Sequence, residues 1–334
     1  MVGSFSRARL RVLVFSVCAA QGAFAQGGKE LLEWLHIYSP TGYFIIDDYE
    51  TRANMPGDHK QWTEGQTLPL GGVAVHETGH MRNLSLNNTG GMVSYHVGNL
   101  KDYKFKPGFT PFSSAEIIPD FPAGLRNFQY ETYIDGGEGM YSVGYGILGI
   151  MEEWDQYVTD LKSAVEMAPC FKANFNSKAD WDALANDVTT SVWSNAEFRY
   201  FALRYLMRAK QSHAGVYAQM TTSKELRECY TQLVQFAEQT MAEWIGVLTA
   251  QGMDTLTENG FDEHWKYWKE IQKQEYKDLE KIMLTAPVGV AQRIAARRAI
   301  DFHAAPAGLF DLRGRRVSPR SLEAEGFLKL LRRR

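Results

Sequence analysis

Along the second half of the chain, apolar residues recur at three- and four-residue intervals, the spacing of helices with one buried face. The pattern predicts helices over 146–167, 179–192, 195–219, 223–251 and 262–284, with polar breaks at 174–178, 221–223 and 252–259. The first half reads differently. Residues 29–38 form a short entering element, helix or strand, and the run 43–48 (YFIIDD) has the length and character of a buried strand. Residues 51–68 are polar and loop-like. A helix is predicted over 69–86, with Pro69 in its first turn and Asn87-Asn88-Thr89-Gly90-Gly91 as its stop. Residues 92–106 alternate as in a hairpin, and 107–140, rich in Pro, Gly and aromatics, read as a long ordered loop region. The expected fold class is α+β but mostly α: a small N-terminal β element with the 69–86 helix, followed by a helical bundle.

Composition fits a globular chain: 334 residues, 45% apolar and 22% charged. Charge is placed unevenly. Residues 26–289 hold 22 of the 36 Lys and Arg but 35 of the 39 Asp and Glu, and so acidic a body argues against nucleic acid as a partner. At the N-terminus, Arg7, Arg9 and Arg11 precede an apolar run over 12–20, and Ala23-Phe24-Ala25 is a small-x-small cleavage site. Residues 1–25 therefore read as a secretory signal, which implies a periplasmic, surface or secreted protein. The run is too short to span a bilayer, and no other stretch approaches about 18 apolar residues, so stable membrane insertion is not expected after processing. The remainder divides into a body over 26–289 and a basic tail over 290–334, where 11 Lys and Arg face 4 Asp and Glu. Within the tail, Phe310-Asp311-Leu312-Arg313-Gly314-Arg315-Arg316-Val317 followed by Leu328-Lys329-Leu330-Leu331 resembles the sorting tails of proteins exported by type IX-like systems; read from its residues alone it is a solvated tail or one small hairpin. Cys170 and Cys229 are left for a disulfide or for two buried thiols, and the oligomeric state is open.

The chemistry concentrates in His76-Glu77-Thr78-Gly79-His80. Two His four apart on a helix point the same way, about 6 Å apart, and their nitrogens can converge on one Zn²⁺. Glu77, one residue from the first His, flanks the metal without being a ligand and can take a proton from a water there. Gly79 allows another element to approach between the two His. Catalytic zinc normally has three protein ligands and one open position. The positions three and six residues after His80 are Asn83 and Leu86, so a third His does not follow on the metzincin pattern. The better candidates are Glu152 and Glu153, on an otherwise apolar turn next to Ile147, Leu148, Ile150 and Trp154, where a carboxylate is costly unless paired or metal-bound. His59, His96, Glu116, Glu131 and Glu138 are lesser candidates.

The motif followed by Glu152-Glu153-Trp154-Asp155-Gln156-Tyr157 resembles the gluzincin zinc metallopeptidases, in which a Glu on a downstream helix is the third ligand. The resemblance implies Zn²⁺ on His76, His80 and Glu152, with Trp154 and Tyr157 as the aromatics that accompany the ligand. It implies hydrolysis of a protein or peptide substrate, with Glu77 as general base. A donor for the developing oxyanion is then needed. The intervening region offers Tyr95, His96, Arg126, Tyr133, Tyr141 and Tyr145, of which Tyr133 and Tyr145 are singled out. Two other functions compete: zinc-dependent hydrolysis of a non-peptide amide or ester, and a non-catalytic helical binding protein. The aromatic stretch over 264–276 reads as a packed helix.

Overall fold

The computed structural model describes residues 31–63, 68–87, 91–137, 140–175, 177–256 and 258–284, and the backbone of two short strands in the tail. The signal-like segment 1–25 and most of the 290–334 tail lie outside the described residues, as does Glu138.

The chain is mostly helical. Helices α1 (Leu31–Tyr38) and α2 (Pro40–Ala53) lead into α3 (Gly72–Asn87). An antiparallel hairpin follows, β1 (Val93–His96) with β2 (Asp102–Phe105), in the register Val93↔Phe105 to His96↔Asp102. Beyond 3-10 turns at Ser114–Asp120 and Ala123–Leu125 come the short helices α4 (Phe128–Tyr133) and α5 (Tyr141–Gly144). The bundle consists of α6 (Ile147–Asn174), α7 (Lys178–Asp187), α8 (Thr189–Ser212), α9 (Ala214–Thr222), α10 (Lys224–Ala250), α11 (Phe261–Ile271) and α12 (Gln274–Met283). The expected class, a small sheet followed by a helical bundle, is what the structure has. In the tail, Leu309–Phe310 pairs with Arg316–Val317 as a minimal antiparallel hairpin. No described helix is long and apolar enough to cross a membrane.

Two stretches differ in kind from their sequence pattern; the loop region expected over 107–140 carries the short helix α4. The strand expected over 43–48 lies inside α2. Its start explains why. Ser39 caps the helix by accepting from the Gly42 N–H, Pro40 presets the first turn, and Glu166 of α6 accepts from the Thr41 N–H at 2.9 Å. Ile45, Ile46 and Tyr49 then fall on one buried face. Capping residues outside the apolar run thus outweigh its strand-like appearance. Three predicted helices are also divided: 179–192 at Val188, 195–219 at His213, and 262–284 at Gln272 and Lys273. Cys170 and Cys229 are separate buried thiols in different apolar clusters.

Helix α6 is the axis of the molecule. Every residue from Ile147 to Leu161 is buried, and its side chains contribute to all three apolar clusters. A helix buried all round is expected to be apolar. This one carries Glu152, Glu153, Asp155 and Asp160 in its buried stretch, so each acid needs a partner.

Gly79 sets how closely α3 approaches this acidic stretch. A Cβ at that position would fall 1.8 Å from Gln156 Oε1. The Gln156 amide cannot swing away freely, because its nitrogen donates to Glu152 and Asp155. We therefore expect Gly79→Ala to lower stability by about 1–3 kcal/mol, the usual cost of overpacking, as read by chemical denaturation.

Candidate metal centre

Helix periodicity places His76 and His80 on the face of α3 that meets α6. Their Nε2 atoms are 3.0 Å apart. Glu153 of α6 brings its Oε2 to 3.3 Å from His80 Nε2 and 4.0 Å from His76 Nε2. These three side chains form a group that could hold a metal ion. Two ligands bound at about 2.0–2.1 Å on tetrahedral directions sit about 3.3 Å apart; the two spacings to His80 Nε2 are close to this, and the 4.0 Å between His76 and Glu153 is wider. The donor set of two imidazoles and one carboxylate suits zinc and neighbouring divalent ions. A second observation agrees. Glu153 Oε2 is buried and makes no hydrogen bond of good geometry, which is an unusual state for a carboxylate oxygen that is not a metal ligand.

The carboxylate that the gluzincin resemblance assigned as ligand has another place. Glu152 Oε2 accepts from His80 Nδ1 at 2.7 Å, on the edge of the ring away from the group. The reason is rotation along α6: adjacent helical residues point about 100° apart, so Glu152 and Glu153 cannot both face the same point. Glu153 faces the two Nε2 atoms, and Glu152 reaches round the back of His80. With its Nδ1 hydrogen committed to Glu152, the His80 ring has Nε2 as the nitrogen that would meet an ion, once the proton that the two acids favour there is displaced.

Glu152 is itself held. Asn83 Nδ2 donates to Glu152 Oε1 at 3.3 Å and to Asp155 Oδ2 at 3.1 Å. Gln156 Nε2 makes the same pair of bonds, at 3.2 and 3.3 Å. Two amide groups thus bridge the same two carboxylates. Asp155 also accepts from the His96 backbone N–H at 2.7 Å and from Thr159 Oγ1 at 3.3 Å. No cation is among these donors; the acid is accommodated by N–H and O–H groups alone.

The electrostatics follow from this crowding. Burial pushes His76 well below the ordinary imidazole range, and charge on His80 adds to the effect. For His80, burial also works against the charged form, but Glu152 and Glu153 outweigh it and raise its pKa well above the ordinary value. Glu77 and Glu153 are raised, first by burial, with neighbouring carboxylates adding. A divalent cation among His76, His80 and Glu153 would offset this excess of acid.

Glu77 lies on α3 beside His76, partly buried and outside the three-residue group. Tyr157, one turn beyond Glu153 on α6, packs its ring edge-on to His76 with centroids 4.3 Å apart. Its hydroxyl donates to Gln129 Oε1 at 3.3 Å and meets Tyr133 Oη at 3.1 Å. Tyr133 is close enough to Glu153 and Glu77 to feel their charge; burial first, and then Glu153, raise its pKa well above the ordinary value, so it stays a neutral donor. Tyr145 lies on the turn entering α6 with 44% of its surface exposed.

The other candidates have different partners. His59 bonds to Glu50 at 2.7 Å, and Glu116 to His213 at 2.8 Å. Tyr95 donates to the Leu148 carbonyl, and Arg126 to those of Ile118 and Phe121. The His96 ring is buried 3.5 Å from Asp102 Oδ1. Glu131 is exposed on α4. Asn83, Asp155 and Gln129 were not read from the sequence. A signal existed for the first two: Asn83 is one turn beyond His80, and Asp155 is an acid in a continuous buried run. Gln129 had none, because its approach depends on a loop.

No known family, curated protein or solved structure matches the chain.

Two replacements separate the acids. Glu153→Ala is expected to abolish stoichiometric zinc binding. Glu152→Gln is expected to retain binding but weaken it about 10–100-fold, the usual effect of losing the group that orients a ligating His. Titration with zinc monitored by calorimetry checks both.

Proposed function

We infer that the chain is a zinc-dependent hydrolase of the gluzincin type acting on peptide bonds, with His76, His80 and Glu153 as ligands and Glu77 as general base. The observation that carries this reading is the convergence of His76 Nε2, His80 Nε2 and Glu153 Oε2, with Glu77 on the same helical turn. Zinc held there supplies Lewis acidity, polarising a carbonyl and making water a better acid.

The protein's own groups do the rest. Glu77, raised by burial, accepts the proton of the attacking water and hands it to the leaving amine. Burial favours this role because a carboxylate that holds its proton more tightly is a better base. Tyr133 is the candidate donor to the developing oxyanion. Tyr157 gives its own hydrogen to Gln129 and packs on the His76 ring, so at 3.1 Å it accepts from Tyr133, whose hydrogen would have to turn from Tyr157 to the substrate. Tyr145, half-exposed on its turn, is the weaker of the two tyrosines for this purpose.

The peptide substrate rests on the resemblance of the motif; hydrolysis of another amide or an ester would use the same groups. Export rests on the reading of residues 1–25 as a signal, and a sorting role on the basic tail. Both accord with a hydrolase that acts outside the cytoplasm.

Replacing Glu77 with Gln tests the reading. Zinc content, measured by atomic emission, is expected to stay at one ion per chain, while cleavage of a mixed peptide library falls by at least about 100-fold, the lower end of the contribution of a general base. Retention of full cleavage would remove Glu77 from the mechanism. Absence of zinc from both proteins would remove the site.

A further inference from the structure

Away from the metal group, Glu197 of α8 is completely buried, and its surroundings pose a problem of hydrogen counting. Tyr267 Oη of α11 lies 2.7 Å from Glu197 Oε1 and 2.6 Å from the Leu125 carbonyl oxygen. Both are acceptors when the glutamate is ionised, yet a phenol has a single hydrogen. The contacts are all satisfied only if Glu197 carries a proton. Its carboxyl then donates to the Tyr267 oxygen, Tyr267 donates to Leu125, and Asn127 Nδ2 donates to the remaining Glu197 oxygen at 3.3 Å.

These contacts fasten the segment that carries two groups of the candidate site. Asn127 caps α4 by accepting from the Tyr130 N–H. Gln129 and Tyr133 belong to α4. Gln129 Nε2 donates to Ser194 Oγ of α8 at 3.0 Å, three residues before Glu197. One face of α8 therefore grips Asn127 and Gln129 together, while Tyr267 holds Leu125. From Gln129 the contact passes to Tyr157 and to the His76 ring.

We propose that Glu197 is a proton-dependent positioning residue: when protonated, it locks residues 123–133 onto α8 and α11, and loss of the proton releases that segment and its Gln129 and Tyr133. Once ionised, Glu197 takes the Tyr267 hydrogen, and the Leu125 carbonyl is left against the phenol lone pairs. The charged groups around it do not substitute for the proton. Glu263 on α11 is another acid, whose charge favours the protonated form. Arg199 on α8 is committed to Glu238 and Glu280, and Arg126 of the loop donates to the Ile118 and Phe121 carbonyls. Burial first, with Glu263 adding, pushes the carboxyl up to about 8.

The direction with pH follows from linkage. A group with a raised pKa in the closed form binds its proton there more tightly than in the open form. The lock is therefore complete at low pH and is lost as pH rises through the closed-state value. The inference concerns the metal site only in its consequence, so the test reads the segment itself. Amide exchange of residues 123–133 is measured on the full chain, with chelator present, from pH 5 to 9 and corrected for intrinsic rates. In the wild type the opening constant is expected to rise by up to tenfold per pH unit between the ordinary carboxyl range and about 8, then level off. Glu197→Gln, whose amide can donate to Tyr267 and accept from Asn127, should keep the segment protected across the range. Tyr267→Phe should leave it poorly protected even at pH 5. A wild-type segment whose protection does not change with pH, or a Glu197→Gln variant that follows the wild-type curve, would overturn the proposal whether or not the protein binds zinc.

Discussion

The acidic stretch of α6 is the constraint on which the rest of the arrangement depends. A helix at the centre of a fold can bury carboxylates only if each is given donors or a cation. Here Asp155 receives four donors, and Glu152 receives the His80 ring and two amides. Glu153 Oε2 receives no such hydrogen bond and faces two imidazole nitrogens. Of these three acids, the one with an oxygen left without such a bond is the one that belongs to the group that could hold a cation.

Close packing makes this arrangement specific. Gly79 lets Gln156 of α6 lie against α3, and the Gln156 amide then ties Glu152 to Asp155. The hairpin joins through the His96 N–H on Asp155. Three elements far apart in sequence are thereby fixed around His80 before any ion is considered. Such preorganisation is what a metal site needs, since ligands that must be gathered on binding cost affinity.

Much of this was legible in the sequence, for identifiable reasons. His76 and His80 are local: their spacing alone puts them on one helical face. The acidic pair on α6 was legible because charge in a continuous apolar run is anomalous, and Gly79 because small residues mark close approaches. The choice between Glu152 and Glu153 was not legible. It depends on the rotation of α6 relative to α3, a tertiary quantity that no local pattern encodes; the family resemblance pointed to Glu152, whereas the group that could hold an ion contains Glu153. The helix over 43–48 is begun by Ser39 and Pro40, which lie outside its apolar run, and its cap is completed by Glu166, more than a hundred residues away. Gln129 and the Glu197 cluster come together through loops without periodicity, which left nothing to read.

The site is defined by the side chains that would surround an ion. A crystal of the zinc-loaded protein, with anomalous data collected on both sides of the zinc edge, addresses this directly. The expected result is one strong anomalous peak within about 2.0–2.2 Å of His76 Nε2, His80 Nε2 and a Glu153 carboxylate oxygen, with Glu152 still on His80 Nδ1. A peak bound by Glu152 in place of Glu153, or no peak between α3 and α6, would contradict it.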